Sequence, residues 1–270
     1  MESLKKLIEY EELKEIAPVT GITYGPIQSR RLGLSLGVNL LGSENKICNF
    51  NCPYCELGFT NLKMSEIKKI KTYPSLDALD KSVRQHLLIL LRQKTKIDSI
   101  TLSGNGEPTL FSDFSGAVDI LINIKNDLYP QSKLVVLTNG STLDNSKIMR
   151  ALNRLDERIV KLDAGNDSML KKIDAPVVRM TVGKLIQGVK KLKDVVLQSF
   201  FVQGFIDNTI ASEVEEWIEV VGIIKPKQVH IYSLDRVPPT AGLKQVPAQR
   251  LKEIAMALQK RTGIKGTVFS

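Results

Sequence analysis

The sequence has 270 residues, 43% hydrophobic and 25% charged, with 38 lysines and arginines against 29 acids for a net charge of +9. This is ordinary globular composition and excludes a disordered chain. No apolar run reaches the roughly 18 residues that a membrane helix needs. Residues 1–16 mix acids with lysines and carry neither an apolar stretch nor a small-residue cleavage site. They do not read as a secretory signal, so the expectation is a cytoplasmic protein that meets no membrane. The positive balance favours acidic partners such as nucleic acid, a phosphorylated substrate or an acidic electron donor. The lysines are spread along the whole chain, which suits a plain solvated surface equally well.

In chain order, residues 1–33 stand apart. A charged helical stretch is followed by Tyr24-Gly-Pro-Ile-Gln-Ser-Arg-Arg-Leu-Gly33, read as an N-terminal extension packed on a main unit of residues 34–270. The first strand is expected over 34–41, and a polar loop carrying the cysteines follows. A helix over 76–92 sets Leu76, Leu79, Val83, Leu87, Leu90 and Leu91 on one face, with Ser75 as N-cap. A strand over 97–102 leads into Ser103-Gly-Asn-Gly-Glu-Pro108. A helix near 113–127 precedes a strand over 134–137 that ends in Thr138-Asn-Gly140. Then come a helix over 144–155, a strand over 159–162 ending at Asp163, a helix near 181–193 and a strand over 195–202. A helix over 211–223 holds the single tryptophan, Trp217. The strand over 229–234 ends at Asp235-Arg236. Pro247 opens a last helix and Gly263 caps it.

Six strands, each followed by a helical segment, predict a parallel sheet. The count fits an open partial (β/α)6 barrel or a doubly wound sheet. Either places active residues at the C-terminal ends of strands. The sequence islands sit there: the cysteine loop, Gly104-Asn-Gly-Glu-Pro108, Thr138-Asn-Gly140, Asp163, Gly204-Phe205 and Asp235-Arg236.

All three cysteines of the chain fall within eight residues, as Cys48-x3-Cys52-x2-Cys55. A secreted disulfide scaffold spreads and pairs its cysteines, so the crowding points to a metal site. Structural zinc wants four closed ligands. The two histidines make poor fourth ligands: His86 lies mid-helix among leucines and His230 within a strand, and both read as packing or surface residues. Three thiolates suit an iron–sulfur cube with one corner left open.

This spacing, with the aromatic Tyr54 before the third cysteine, resembles the radical S-adenosylmethionine (radical SAM) superfamily, over roughly Tyr24 to the C-terminus. The runs Ser29-Arg-Arg-Leu-Gly33, Ser35-Leu-Gly-Val-Asn39 and Ser103-Gly-Asn-Gly-Glu-Pro108 are similar to a branch related to the wyosine-type tRNA-modifying enzymes. The resemblance implies an α/β fold, a partial (β/α)6 barrel with a short N-terminal extension. It implies a [4Fe-4S] cluster on Cys48, Cys52 and Cys55, and S-adenosylmethionine chelating the open iron. Reductive cleavage would give a 5′-deoxyadenosyl radical that abstracts hydrogen from a substrate, with electrons from a low-potential donor such as a flavodoxin or ferredoxin.

For the cofactor site the resemblance implies Tyr54, largely through its backbone, at the adenine. It also implies Gly104, Asn105, Gly106 and Glu107, with Glu107 accepting from the cofactor's ammonium group. The order Gly-Asn-Gly-Glu departs from the family's Gly-Gly-Glu-Pro-like run but keeps the second glycine and the acid. Asp163 is implied at the ribose hydroxyls. Thr138 and Asn139 suit either the methionyl part or a simple Asn-Gly turn, and Gly204 with Phe205 either an adenine wall or the core.

With all three cysteines committed to one cluster, no auxiliary cluster can be built from cysteine in this chain. That argues against methylthiotransferase chemistry and against the RNA methyltransferases that need further cysteines. Three readings follow: a radical enzyme acting on tRNA or another anionic substrate, an activase that installs a glycyl radical on a partner enzyme, or a non-catalytic iron–sulfur or zinc protein. For an anionic substrate, Arg30 and Arg31 before the first strand and Arg236 after the sixth could flank the barrel mouth, extended by Lys68, Lys69 and Lys71. Guanidinium groups suit phosphate through paired planar donors. The competing role for these arginines is pairing with carboxylates of the barrel.

Overall fold

The computed structural model describes residues 19–42, 45–60, 73–236 and 238–269. Lys68, Lys69, Lys71 and the N-terminal helical stretch lie outside the described residues.

An eight-stranded curled sheet forms a half-barrel in the order β1-β2-β3-β4-β5-β6-β8-β10. Its members are β1 (Thr23–Ser29), β2 (Gly33–Val38), β3 (Ser99–Leu102), β4 (Lys133–Thr138), β5 (Glu157–Lys161), β6 (Val196–Phe200), β8 (Gln228–Tyr232) and β10 (Gly266–Phe269). The order rises steadily from one edge to the other, as successive right-handed βα units produce. Only β1 runs antiparallel, paired with β2. The short strands β7 (Gln203–Gly204) and β9 (Leu243–Lys244) form a separate antiparallel pair.

The helices cover the convex face. They are α1 (Leu76–Arg92), α2 (Phe114–Leu128), α3 (Ser146–Leu152), α4 (Asp167–Ile173), α5 (Val182–Val189), α6 (Ala211–Ile224) and α7 (Ala248–Thr262). The expected caps form: Ser75 Oγ accepts from Ala78 N at 3.1 Å, and Gly263 closes α7 in the left-handed conformation. In α1, Leu79, Val83, Leu87 and Leu90 are buried, each contributing about 1.5–3 kcal/mol of apolar burial. Leu91, expected on the same face, is 45% exposed, because at i+1 from Leu90 it turns about 100° away from the sheet.

Strand residues alternate between two cores, as the period of two requires. Leu36, Ile100, Val136, Val160, Leu197 and Val229 pack outward with the helices. Val135, Ile159 and Val196 form a small separate cluster on the other, concave side, with Leu32 and Leu137 against it. The expected six strands are present. The sequence pattern missed β1, β10, the β7–β9 pair and α4. Each is short or interrupted by glycine or proline, too brief for a periodicity to register.

Candidate functional site

The cysteine loop sits over the C-terminal ends of β2 to β6 and is bonded to its surroundings mainly through backbone. Ile47 N donates to Asn105 O at 2.7 Å and Glu107 N to Ile47 O at 2.9 Å, so the loop after β3 and the loop after β2 pair like two strands. Gly106 makes that approach possible. Its φ is +141°, and a Cβ there would run into Ile47 O. Gly104, at φ +133°, backs against Asn39 in the same way. Asn105 is buried, and its amide clamps the backbone of Val19 from both sides, at 2.8 Å and 2.7 Å.

On the other flank, Asn51 N donates to Asp174 O at 3.1 Å and Val177 N to Asn49 O at 3.0 Å. The loop closes on itself where Thr60 N donates to Asn51 Oδ1 at 2.7 Å, and Lys46 Nζ donates to Gly58 O at 2.8 Å. Cys48 and Cys52 are buried and Cys55 is half-buried. Two donors face the Cys48 sulfur, Phe50 N at 3.4 Å and Asn139 Nδ2 at 3.7 Å. Burial pushes the free Cys48 thiol up to about 11 despite the nearby Lys46, and pushes Cys52 well above its ordinary value.

Glu107 is fully buried, and neutral donors fill its carboxylate. Thr109 Oγ1, Thr138 Oγ1 and Asn139 N donate to it, each at 2.6 Å, and Thr109 N at 3.2 Å. Burial raises its pKa, and these donors oppose the rise. Asn139 passes the order on, since its Nδ2 also donates to Asn49 Oδ1 at 2.8 Å. Glu107, Thr138, Asn139 and Cys48 therefore form one connected group.

A second group lies under Cys52. Lys161 Nζ donates to Asp163 Oδ2 at 2.8 Å and lies 3.6 Å from Asp174 Oδ1. The Cys52 thiol donates to Asp174, with Oδ1 at 3.5 Å. The Tyr54 hydroxyl donates to Asp163 and accepts from Lys161, and its ring stacks on Phe200 with centroids 3.7 Å apart. Phe200 N donates to the other oxygen of Asp163 at 2.9 Å. Burial, with Asp163 nearby, pushes Asp174 up to about 8. Tyr54 and Asp163 are thus brought together, with Asp163 tied to protein donors on both oxygens. Gly204 lies apart in the β7–β9 pair at φ +117°, and Phe205 is 61% exposed, outside the core.

The arginines separate. Arg30 pairs with Asp235 at 3.3 Å and Arg236 with Glu56 at 3.6 Å, all four side chains about half exposed. Arg31 crosses the open side of the half-barrel. Its Nη1 donates to Gln198 Oε1 at 2.8 Å, and its guanidinium lies 4.7 Å from the centre of the Tyr232 ring.

Sequence reasoning missed Lys161, Asp174 and Asn49. Lys161 carried a usable signal: it lies two residues before Asp163 at the end of an apolar run expected to be a strand, a spacing that puts both side chains on one side of extended chain. Asp174 carried none, since it follows a helix that the periodicity did not register.

The donor set fits an iron–sulfur cube better than a single ion. Among the described residues no three His, Cys, Asp or Glu side chains converge to hold one metal ion. A cube takes its thiolates at separate corners, and donors aimed at a sulfur, as at Cys48, favour the anionic ligand.

The fold and this thiol-bearing strand-end loop define a class of enzyme built on a partial barrel. Residues 45–225 match the Radical SAM superfamily, and the chain belongs to it, a superfamily of enzymes that use a [4Fe-4S] cluster and S-adenosylmethionine. Among curated relatives, a Brachyspira hyodysenteriae protein named GTPase Obg is 31% identical over 79% of this chain. The chain spans only 30% of that protein. A Helicobacter pylori protein named UPF0026 is 30% identical over 80% of this chain and 67% of its own length. Among solved structures, TYW1 with a lysine-pyruvate adduct bound superposes with a TM-score of 0.64 over 97% of this chain and 90% of that one, at 10% identity. That likeness concerns the fold alone. No described helix is long and apolar enough to cross a membrane.

Proposed function

We propose that Cys48, Cys52 and Cys55 hold one [4Fe-4S] cluster and that the surrounding strand ends bind S-adenosylmethionine for attack on an anionic substrate such as tRNA. When bound together, cluster and cofactor supply the one-electron cleavage that yields a 5′-deoxyadenosyl radical.

The observation that carries the reading is the loop's attachment. Ile47 and Glu107 bond the cysteine loop to the Gly-Asn-Gly-Glu run, while Asn139 reaches the Cys48 sulfur. One set of hydrogen bonds thus orients both the thiols and the residues that resemble the family's cofactor contacts. Gly104 and Gly106 let the Gly-Asn-Gly-Glu run close on Asn39 and Ile47, which holds that run against the cysteine loop. Glu107 holds Thr138 and Asn139 in place. Asp163 and Tyr54 close the wall below, and the buried position of the group keeps water from the reacting centre.

For the substrate, Arg31 is the best supported of the three arginines. Its described partners are neutral, Gln198 and the Tyr232 ring face, whereas Arg30 and Arg236 are matched by acids. A guanidinium held in the barrel's open side with no carboxylate partner among the described residues is suited to a phosphate.

Anaerobic reconstitution tests the reading. The parent should bind about four irons and release 5′-deoxyadenosine with dithionite as reductant. Single alanine variants of Cys48, Cys52 and Cys55 should lose both. A triple variant that still carries a native-like cluster would overturn the assignment. An Arg31→Glu variant that keeps its cluster but binds tRNA as well as the parent would remove the anion site.

A further inference from the structure

Between β6 and α6 the chain makes a short closed excursion from the strand ends that carry the site. Val202 N donates to Asn208 Oδ1 at 2.8 Å, and Asn208 Nδ2 donates to Phe200 O at 2.8 Å and to Asp163 O at 3.0 Å. Both ends of the excursion are thereby fixed to the residues that pack on Tyr54. Its middle is β7, which pairs with β9 in the register Gln203 to Lys244 and Gly204 to Leu243. Phe205 N extends the pair, donating to Gly242 O at 3.4 Å. The excursion follows directly on β6, whose Gln198 accepts from Arg31.

The register decides which side chains face out. Side chains alternate along a strand, and residues directly opposite share a face. Leu243 is buried, so its face is turned to the protein, and Gln203, Phe205, Gly242 and Lys244 occupy the other. Phe205 is 61% exposed. Its cross-strand neighbour is a glycine, where a Cβ would stand 3.3 Å from Phe205 Cδ1, so backbone supports the ring and no cross-strand side chain covers it. Lys244 is its diagonal neighbour on the same face, a separation that long side chains span. It is exposed and has no ion-pair partner among the described residues. Asp207, the acid of the excursion, is taken up by Thr209, whose N and Oγ1 donate to it at 2.8 Å and 2.6 Å. A supported, exposed ring beside an unmatched cation suits a nucleotide, because every base offers a face to stack on and brings a phosphate with it.

We propose that Phe205 stacks one unpaired base of a single-stranded RNA segment and that Lys244 holds the adjoining phosphate, so that the β7–β9 ribbon presents the substrate to the strand-end site. Duplex RNA keeps its bases stacked on one another and offers the ring no free face. This deepens the proposed function and rests on its nucleic-acid reading.

The test measures binding of a fluorescein-labelled tRNA transcript to the cluster-loaded protein by anisotropy, with unlabelled single-stranded and duplex RNA of one sequence as competitors. Phe205→Ala and Phe205→Leu should each weaken binding about fivefold or more, because leucine is apolar but has no ring to stack, while Phe205→Tyr should stay within about twofold of the parent. Lys244→Gln should lower the slope of log affinity against log salt by about 0.7, the value for one phosphate contact to a single strand. The single strand should compete and the duplex should not. Met256→Ala, an exposed apolar residue on α7, is the control and should change affinity less than about twofold. Parental affinity in Phe205→Ala would overturn the proposal. So would equal loss in Phe205→Ala and Phe205→Tyr, or a loss of affinity for S-adenosylmethionine in place of RNA, which would give the ring to the cofactor's adenine. If Arg31→Glu weakens tRNA binding and Phe205→Ala does not, the platform fails and the anionic-substrate reading stands; if the parent binds no RNA, both fail.

Discussion

Lys161 Nζ lies 3.6 Å from Asp174 Oδ1, and that same oxygen lies 3.5 Å from the Cys52 sulfur. One buried ammonium thus serves two buried carboxylates, Asp163 and Asp174, beneath the cysteine loop. Burial alone would lower the lysine's pKa; the two acids and Cys52 hold it well above its ordinary value. Removing one partner of a buried pair strands the charge that remains, which costs about 3–5 kcal/mol.

Lys161→Met in the cluster-free protein should therefore lower Tm by roughly 6–20 °C, taking about 2–4 °C per kcal/mol for a chain of this size. Adding Asp163→Asn should recover part of the loss, because Asp163 is the carboxylate that Lys161 bonds at 2.8 Å and the one left stranded without it. Thermal denaturation followed by circular dichroism reads both. A Tm within about 2 °C of the parent for Lys161→Met would mean that the group relaxes or takes up water, and that Lys161 does not hold it.

Gly106 offers a sharper local test. Its φ of +141° and the position of Ile47 O leave no space for a Cβ. Gly106→Ala should break the pairing of Ile47 with Glu107 and cost on the order of 1–3 kcal/mol. It should also abolish iron binding after reconstitution. Gly58→Ala is the control. Gly58 also has positive φ, +71°, but nothing lies within 4 Å of the point where its Cβ would stand, so the cost should be only about 1–2 kcal/mol and iron should be retained. Equal iron content in Gly106→Ala and the parent would show that the cysteine loop tolerates release from the strand end.

The parts legible in the sequence were those with a period or a spacing. The helix over Leu76–Arg92 announced itself by its leucines and by Ser75, and Cys48, Cys52 and Cys55 by their spacing. The strand-end runs at Gly104–Glu107 and Thr138–Asn139 were visible because glycine and asparagine interrupt apolar segments. What stayed hidden depended on tertiary placement. Nothing local shows that Glu107 is filled by Thr109, Thr138 and Asn139, or that Asp174, far along the chain, reaches Cys52. The arginines show the same limit: three similar residues were grouped as one mouth, and only the fold distinguishes Arg31, which meets neutral partners, from Arg30 and Arg236, which meet acids.

Glu107 has a structural task even before any ligand binds. Glu107→Ala leaves Asn139 N, a fixed backbone donor, buried without its acceptor, while the threonine hydroxyls can turn to other partners. One unsatisfied buried donor costs about 1–3 kcal/mol. The cofactor-free variant should show that loss in urea denaturation, and its affinity for S-adenosylmethionine should fall by about tenfold or more, since an ammonium loses a charged acceptor worth about 1.5–3 kcal/mol. Reduced affinity with parental stability would place Glu107 at the cofactor alone. Reduced stability with parental affinity would make it a purely structural residue.

His230 gives the fold a specific acid sensitivity. It lies in β8 with 2% of its surface exposed, its Nε2 2.8 Å from Gln228 Nε2. The amide donates, so the ring nitrogen accepts and the proton sits on Nδ1, which is buried without a hydrogen-bond partner. Phe269 covers the ring at 4.9 Å in an edge-on arrangement. Burial, then the positive charge of Arg31, lowers the imidazole's pKa to about 4, with Glu157 pulling weakly the other way. In the unfolded chain the same ring titrates near 6.5. Above that pH both states are neutral and the residue adds no pH dependence. Between about 6.5 and 4 the unfolded chain binds a proton that the folded chain excludes, so stability falls as pH falls. Below about 4 both states are protonated and the loss stops. A gap of that size corresponds to at most about 3 kcal/mol. Urea denaturation of the cluster-free protein from pH 7.5 to 4 should therefore show a steeper decline for the parent than for His230→Phe, which keeps the apolar packing and cannot titrate. Parallel curves for the two proteins across that window would show that His230 takes up its proton in the fold as readily as in the unfolded chain.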